Sequence, residues 1–214
     1  MDRVTLFGMP FIAAPDHRAI LDEISSWPLP PRHSEELPLV STPNVDQVVK
    51  LHRASNRVLL ERLRLSRFIL PDGQPIVAVS RMTRDRKLPA RLAGSDLFPP
   101  LWERVCEKGA PVFMVLGSEE IATRLQQELP GLRYLVPPFY SVEDHGAEQR
   151  LIDAIHAELI AHPVHLVFLG LGFPKQERLA LALSDRFRSE GVPLPLFLLL
   201  GASFEFHAGL KKRA

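Results

Sequence analysis

The side chains of this chain that could do chemistry gather at a few short turns. Leu169-Gly170-Leu171-Gly172-Phe173-Pro174-Lys175-Gln176-Glu177 follows the apolar run Val164–Leu169 and precedes Arg178–Ser189, a segment with helical spacing. Strand, tight glycine turn and helix is an order that leaves the N–H groups of a first helical turn free to bind an anion. Pro174 suits the first helical position, where its missing N–H costs nothing. Gln176 and Glu177 would then face the bound group, although Glu177 could equally serve only to offset the helix dipole. Pro71-Asp72-Gly73 holds a carboxylate in a second turn. That tripeptide is a common turn, and its chemical alternative is a lone general base. Thr42-Pro43-Asn44 forms a third turn. Asn44, with Gln47 three residues on, fits a capping box, and Thr42 fits a strand end. Arg91 lies in a basic stretch with Arg84, Arg86 and Lys87. Such stretches are usually solvated, yet an arginine beside Gly94-Ser95-Asp96 can also hold a phosphate.

Other chemistries find no support. There is no G-x-x-x-x-G-K-[ST] and no G-x-G-x-x-G, and none of the eight histidines forms an H-x-x-x-H pair. The single cysteine, Cys106, excludes an internal disulfide and any multi-cysteine metal site. The net charge of +1 provides no global field for nucleic acid or membrane, and only Lys211-Lys212-Arg213 is locally basic. Hydrophobic residues make up 46% and charged residues 24%, ordinary for a globular protein. No apolar run approaches the roughly 20 residues of a membrane span. Asp2 and the absence of a cationic, then apolar, N-terminal stretch argue against a signal peptide. A cytoplasmic setting is the expectation.

The elements that must position these turns alternate. Strands are expected at Val4–Phe7, Leu39–Ser41, Phe68–Leu70, Val112–Leu116, Tyr134–Val136, Val164–Leu169 and Leu196–Leu200. Helices are expected at Asp16–Ile24, Val45 to about Leu60, Leu97–Lys108, after Gly117 to Leu129, Val142–His162 and Pro174–Glu190, with Ile76–Arg81 helical or irregular. Trp27–Pro38, with four of the 20 prolines, and the charged stretch Thr83–Arg91 read as loops. Continuous apolar strands alternating with amphipathic helices predict an α/β fold. It is a Rossmann-like parallel sheet with helices on both faces and a small N-terminal strand/helix portion, one domain over residues 1–214. In such sheets ligands bind outside the carboxyl ends of the strands. Thr42, Asn44, Asp72, Gly73, Gly117, Ser118, Gly170 to Gln176 and Gly201 to Ser203 all fall at those ends, which predicts one shared cleft.

Together these turns resemble one family. Thr42-Pro43-Asn44 matches T-x-N, Asp72-Gly73 matches D-G, and Arg91-Leu92-Ala93-Gly94-Ser95-Asp96 matches R-x-x-G-x-D. Gly170–Glu177 matches G-x-G-x-P-x-Q-E, and Gly201-Ala202-Ser203-Phe204-Glu205-Phe206 with Ala208-Gly209 matches G-x-S-F-D-F-x-A-G. This is the pattern of the WecG/TagA/CpsF glycosyltransferases (glycosyltransferase family 26), in order and approximate spacing across nearly the whole chain. The resemblance implies an inverting transferase. It would move a hexose of N-acetylmannosamine, glucose or uronic-acid type from a UDP-sugar to a saccharide on a polyprenyl diphosphate, for a bacterial surface polysaccharide. It implies that Asp72 is the catalytic base, with Thr42 and Asn44 near it and the sugar. Arg91 and Gln176 would hold substrate, as would Gly117, Gly172 and Glu177 in the shared cleft. No cofactor and no divalent metal is implied, and no D-x-D motif is present.

Two departures stand out. Relatives usually continue past A-G-x-x-x-R-A into a C-terminal appendage with further arginines, thought to complete the diphosphate site and seat the enzyme on the cytoplasmic membrane surface. This chain stops at Ala214, as a shortened form or a naturally short variant. Leu70-Pro71-Asp72 also replaces the small residue often found before the aspartate. The expected setting is cytoplasmic, peripheral to the inner face of the membrane, with no nucleic-acid partner; a homo-oligomer is left open. The competing readings are a catalytically inactive UDP-sugar-binding module and a different α/β enzyme, a phosphatase or a dehydrogenase. Asp72 separates the first from a transferase, since a binder has no use for a base there.

Overall fold

Six short apolar strands set the frame. The computed structural model describes residues 1–83 and 87–212, so Arg84 and Arg86 of the basic stretch and Arg213 of the basic end lie outside it. In chain order the elements are β1 (Arg3–Leu6), β2 (Met9–Ile12), α1 (Arg18–Ser25), β3 (Leu37–Ser41), α2 (Val45–Leu51), α3 (Arg57–Leu63), β4 (Ser66–Ile69) and α4 (Gln74–Met82). They continue with α5 (Gly94–Lys108), β5 (Val112–Val115), α6 (Glu119–Glu128), β6 (Arg133–Leu135), α7 (His145–Ala161), β7 (Leu166–Leu169), α8 (Lys175–Ser189), β8 (Leu196–Leu199) and α9 (Ser203–His207). β1 and β2 form an antiparallel hairpin, and the other six strands form one parallel sheet in the order β4-β3-β8-β7-β5-β6.

Strand residues alternate between two cores, as a period of two requires. Leu39, Ile69, Phe113, Val115, Val167, Leu169, Phe197 and Leu199 pack with α2, α3, α4, α7 and α8 on one face. Val40, Phe68, Leu70, Met114, Leu116, Phe168, Leu198 and Leu200 pack with α1, α5, α6 and α9 on the other. The sheet is thus covered on both sides, which is why its strands read as unbroken apolar runs. The strands end level with one another: Ser41 pairs with Ile69 and Leu199, Leu169 with Leu199 and Val115, and Val115 with Leu135. Every turn leaving the sheet therefore starts at the same height.

Several expected boundaries are corrected. The helix expected from Val45 to Leu60 breaks at His52: α2 ends there, Ala54–Asn56 is a single 3₁₀ turn, and α3 restarts at Arg57. Asn56 Nδ2 donates to Lys50 O at 2.9 Å, a local bond that favours a turn over a continued helix. The loop expected to reach Pro38 ends earlier, because β3 begins at Leu37. Ile76–Arg81 resolves into α4. The strand β2 and the short helix α9 were not anticipated. Gly8, at φ 67, turns β1 back into β2, so the N-terminal portion is a hairpin plus α1. Arg67 at the start of β4 ties this portion to the sheet, since its guanidinium donates to Glu23 and Glu36 while Arg3 Nη2 donates to Arg67 O.

Candidate functional site

The turn after β3 is built by a helix cap. Asn44 Oδ1 accepts from Gln47 N and Gln47 Oε1 accepts from Asn44 N, both at 3.0 Å, which is the capping box expected from the sequence. The turn after β4 is laid on it. Leu70 N donates to Ser41 O at 2.8 Å and Asp72 N to Pro43 O at 3.3 Å. Gly73, at φ 128, then takes a backbone conformation that residues with a Cβ rarely adopt and starts α4. Asp72 is partly exposed at this point. The Arg91 segment is laid on the Asp72 turn in the same way, Leu92 N donating to Pro71 O at 2.9 Å. Arg91 itself pairs with Asp96 in the first turn of α5 and remains about one third exposed. Three turns distant in sequence are thus stitched together by main-chain bonds.

Thr42 links this group to the centre of the sheet. It is buried, and its Oγ1 donates to Leu199 O at 3.2 Å. A Cβ on Gly94 would lie 3.0 Å from Thr42 Oγ1 and 3.2 Å from Ser203 Oγ, so the start of α5 approaches closely only because residue 94 is glycine.

The turns after β7 and β8 are joined through Gln176. Its Oε1 accepts from Gly201 N at 3.1 Å and its Nε2 donates to Glu177 Oε1 at 3.0 Å. Gln176 is 2% exposed and Glu177 4% exposed. This corrects the expectation that both face the bound group: they are buried, while Gly172 is exposed and Phe173, Pro174 and Lys175 are partly exposed. Pro174 is corrected by one position, standing just before α8 with Lys175 as the first helical residue. Burial in an apolar surrounding pushes the Glu177 carboxyl up to about 7, against the hydrogen bond from Gln176. Its Oε2 has no hydrogen-bond partner. A carboxyl held near neutral here puts less than a full negative charge into the first turn of α8, and so repels an anion at that turn less.

Gly117 and Gly170 sit side by side. A Cβ on Gly117 would lie 3.7 Å from Gly170 O, and one on Gly170 would lie 2.6 Å from the Phe204 ring. The chain leaves β5 through α6 on one face and β7 through α8 on the other, so these adjacent strands form the switch point where α/β sheets open a crevice. Ser118 caps α6, its Oγ accepting from Ile121 N at 3.4 Å. Sequence reasoning missed Lys175 and the loop beside it. Lys175 Nζ donates to Tyr140 O at 2.6 Å and lies 5.0 Å from the ring centre of Phe139, which is 96% exposed. No signal in the expected helix Val142–His162 pointed to it. Among the described residues no group of three or more His, Cys, Asp or Glu side chains could hold a metal ion.

The fold is a Rossmann-like α/β protein with a parallel sheet, and the turns of Thr42–Asn44, Asp72, Gly117 and Gly170–Gly172 leave the carboxyl ends of its strands on both sides of a switch point. Comparison with known proteins gives the class its family. The Glycosyl transferase WecG/TagA/CpsF family model matches residues 4–214, and the chain belongs to that family. It is 27% identical over 180 residues to the N-acetylglucosaminyldiphosphoundecaprenol N-acetyl-beta-D-mannosaminyltransferase of Bacillus subtilis (strain 168), covering 82% of this chain and 64% of that protein. It is 30% identical over 151 residues to the protein of the same name in Bacillus spizizenii (strain ATCC 23059 / NRRL B-14472 / W23), covering 69% of this chain and 54% of that protein. The chain therefore spans between about half and two thirds of the length of these relatives.

Proposed function

We propose that the protein is an inverting glycosyltransferase that moves a hexose from a UDP-sugar to a saccharide carried on a polyprenyl diphosphate, for a bacterial surface polysaccharide. The observation that carries this reading is the stitching of the Asp72 turn onto the Thr42–Asn44 turn at one end of the cleft, with the glycine switch point at the other. Between β4 and β5 lie β3, β8 and β7, and strands are spaced about 4.8 Å apart. An extended nucleotide sugar can lie across that edge, its nucleotide toward Gly117 and Gly172 and its sugar toward Thr42. The diphosphate then meets the first turn of α8, where main-chain N–H groups favour an anion, and Arg91 reaches it by opening its pair with Asp96. The names of the two Bacillus proteins point to a lipid-diphosphate acceptor for the relatives, and their shared family supports one here.

In the reaction the Asp72 carboxylate takes the proton of the acceptor hydroxyl. The freed oxygen forms a bond to the anomeric carbon, and the bond from that carbon to the UDP oxygen breaks on the opposite face, UDP carrying away the electron pair. Helix N-termini and arginine stabilise the leaving charge, so turnover should persist in the presence of a chelator. The setting that suits this reaction is peripheral to the inner face of the cytoplasmic membrane, and no helix among the described residues is long and apolar enough to cross it. The test is UDP release with a panel of UDP-hexoses and a lipid-linked acceptor, with and without chelator. Acceptor-dependent release with one donor is expected. UDP binding without release under any acceptor would make the protein a sugar-nucleotide-binding module instead, and a strict magnesium requirement would overturn the metal-free step.

A further inference from the structure

An apolar groove of about 320 Å³ runs between α2 and α4, and His52 is its one polar lining side chain. Phe7, Val45, Val49 and Val79, which line it, are all exposed. Large apolar side chains gathered at one exposed surface mark a binding site more often than chance. Phe7 adds a second observation. It is the only non-glycine residue among those described with a positive φ, at 51°, and its ring meets His52 edge-on with centroids 6.5 Å apart. An aromatic residue held in the left-handed region at a hairpin tip is a strained placement, of the kind found at functional surfaces.

The groove is continuous with the site. α2 starts at Val45, directly after Asn44, and α4 starts at Gln74, two residues after Asp72. Both of its walls therefore rise from the two turns that are bonded together through Asp72 N and Pro43 O. The donor cleft runs from these turns toward β7 and β5, while the groove lies on the α2/α4 face. A lining this apolar has nothing to offer a saccharide, a nucleotide or a phosphate. Its exposed valines and phenylalanine suit a thin, methyl-branched hydrocarbon chain. Met82, 85% exposed at the far end of α4, continues the apolar path away from Asp72.

We propose that this groove binds the first isoprene units of the acceptor's polyprenyl chain, so that lipid contacts present the acceptor hydroxyl to Asp72. The proposal rests on the transferase reading above and adds a lipid subsite to it. It predicts that the enzyme distinguishes acceptors by their lipid and not only by their sugar.

The experiment compares two acceptors with the full chain: N-acetylglucosaminyl diphosphate esterified with a farnesyl chain, and the same compound with a methyl group. Val49→Gln and Val79→Gln replace exposed helix positions and should leave the fold intact, which a melting curve checks. Each variant should raise KM for the farnesyl acceptor about tenfold, equivalent to about 1.4 kcal/mol. KM for the UDP-sugar and for the methyl acceptor should not move. Equal effects on both acceptors, or none on either, would overturn the proposal. So would variants that change only the sedimentation of the protein, since the groove would then be a surface between copies of the chain. If the unaltered protein transfers sugar to neither acceptor, the transferase reading fails on its own. The groove is then decided by photo-cross-linking with a diazirine-bearing farnesyl diphosphate: labelling of α2 or α4 peptides supports a lipid groove, and labelling elsewhere ends it.

Discussion

The two ends of the cleft are built by opposite means. Around β3 and β4 Asn44, Asp72 and Arg91 reach solvent while Thr42 is buried, and the turns that carry them are joined by main-chain bonds and a helix cap. Around β7 and β8 the polar side chains are buried, and Gln176 is spent on joining two turns while Glu177 keeps an unpartnered oxygen out of water. A base that must meet an incoming hydroxyl needs access, and Asp72, partly exposed, has it. A diphosphate cradle made of main-chain N–H groups needs rigidity, so its polar side chains serve as floor. Under the proposed reaction this contrast places proton chemistry at the β3/β4 end and charge stabilisation at the β5/β7/β8 end.

The largest expected effect tests the first half of that contrast. Asp72→Asn should lower turnover by roughly 10²–10⁴-fold, the usual contribution of a positioned base. UDP binding and the melting temperature should hardly change, because asparagine keeps the size of the side chain and the bond from N of residue 72 to Pro43 O. A variant retaining most of its activity would reduce Asp72 to a turn residue and leave the exposed end without chemistry.

The second prediction concerns the buried end. Glu177 has its carboxyl raised by burial from 4.5 to about 7. The folded state therefore holds a proton that the unfolded state releases, and that contribution is fully present below about 4.5 and lost as pH rises through about 7. The loss above 7 is about 3 kcal/mol. Glu177→Gln should relieve it, so the variant should melt several degrees above the parent at pH 8, at about 2–4 °C per kcal/mol. At pH 4, below the ordinary 4.5, the two should melt together. A pH-independent difference would mean that Glu177 is not desolvated and that the floor is open to water. Reduced turnover in the stabilised variant would show that the cleft keeps this carboxyl for function at a cost in stability.

Gly170→Ala should destabilise by about 1–3 kcal/mol, the range for overpacking a filled core. The added methyl meets the Phe204 ring at 2.6 Å and Val115 O at 3.2 Å, and Phe204 is itself wedged edge-on against Phe98 at 4.8 Å. Gly172→Ala, with nothing within 4 Å of its Cβ, is the control and should melt like the parent. If both variants melt alike, the switch point is not the tightly packed corner described above.

The same contrast explains what could be read from sequence. The strands, most helices and the gathering of turns at one edge were legible, because apolar runs and glycine turns are local signals. The Asn44 capping box was legible for the same reason. The break at His52 was not, since α2 and α3 share one apolar face and are parted by an extended Arg53, one 3₁₀ turn and the bond from Asn56 to Lys50 O. Burial of Gln176 and Glu177 was not legible either: position in a first helical turn suggests exposure, whereas Gln176 bonds to Gly201 in the turn after β8 and both residues are buried. The groove at Phe7 depends on a hairpin whose second strand, four residues long, is too short to show a period.

The smallest effect is the most discriminating, because Asn44 stands where scaffold and chemistry meet. Its side chain caps α2 with a 3.0 Å bond, and its place beside the Asp72 turn also suits contact with the sugar. Asn44→Ala should cost about 1 kcal/mol through the lost cap, a fall of about 2–4 °C in melting temperature. Asn44→Ser keeps a capping oxygen while withdrawing the amide donor. If Ser restores both stability and turnover, measured well below the melting point, Asn44 acts only as scaffold and the exposed end owes its chemistry to Asp72 alone. If Ser restores stability while turnover stays low, the amide touches substrate, and one residue both holds the turn and serves the reaction. The proposed geometry favours the second outcome. A cap that only held α2 could sit under any surface turn, whereas this one is bonded through Pro43 to the residue carrying the base, at the end where the sugar must lie.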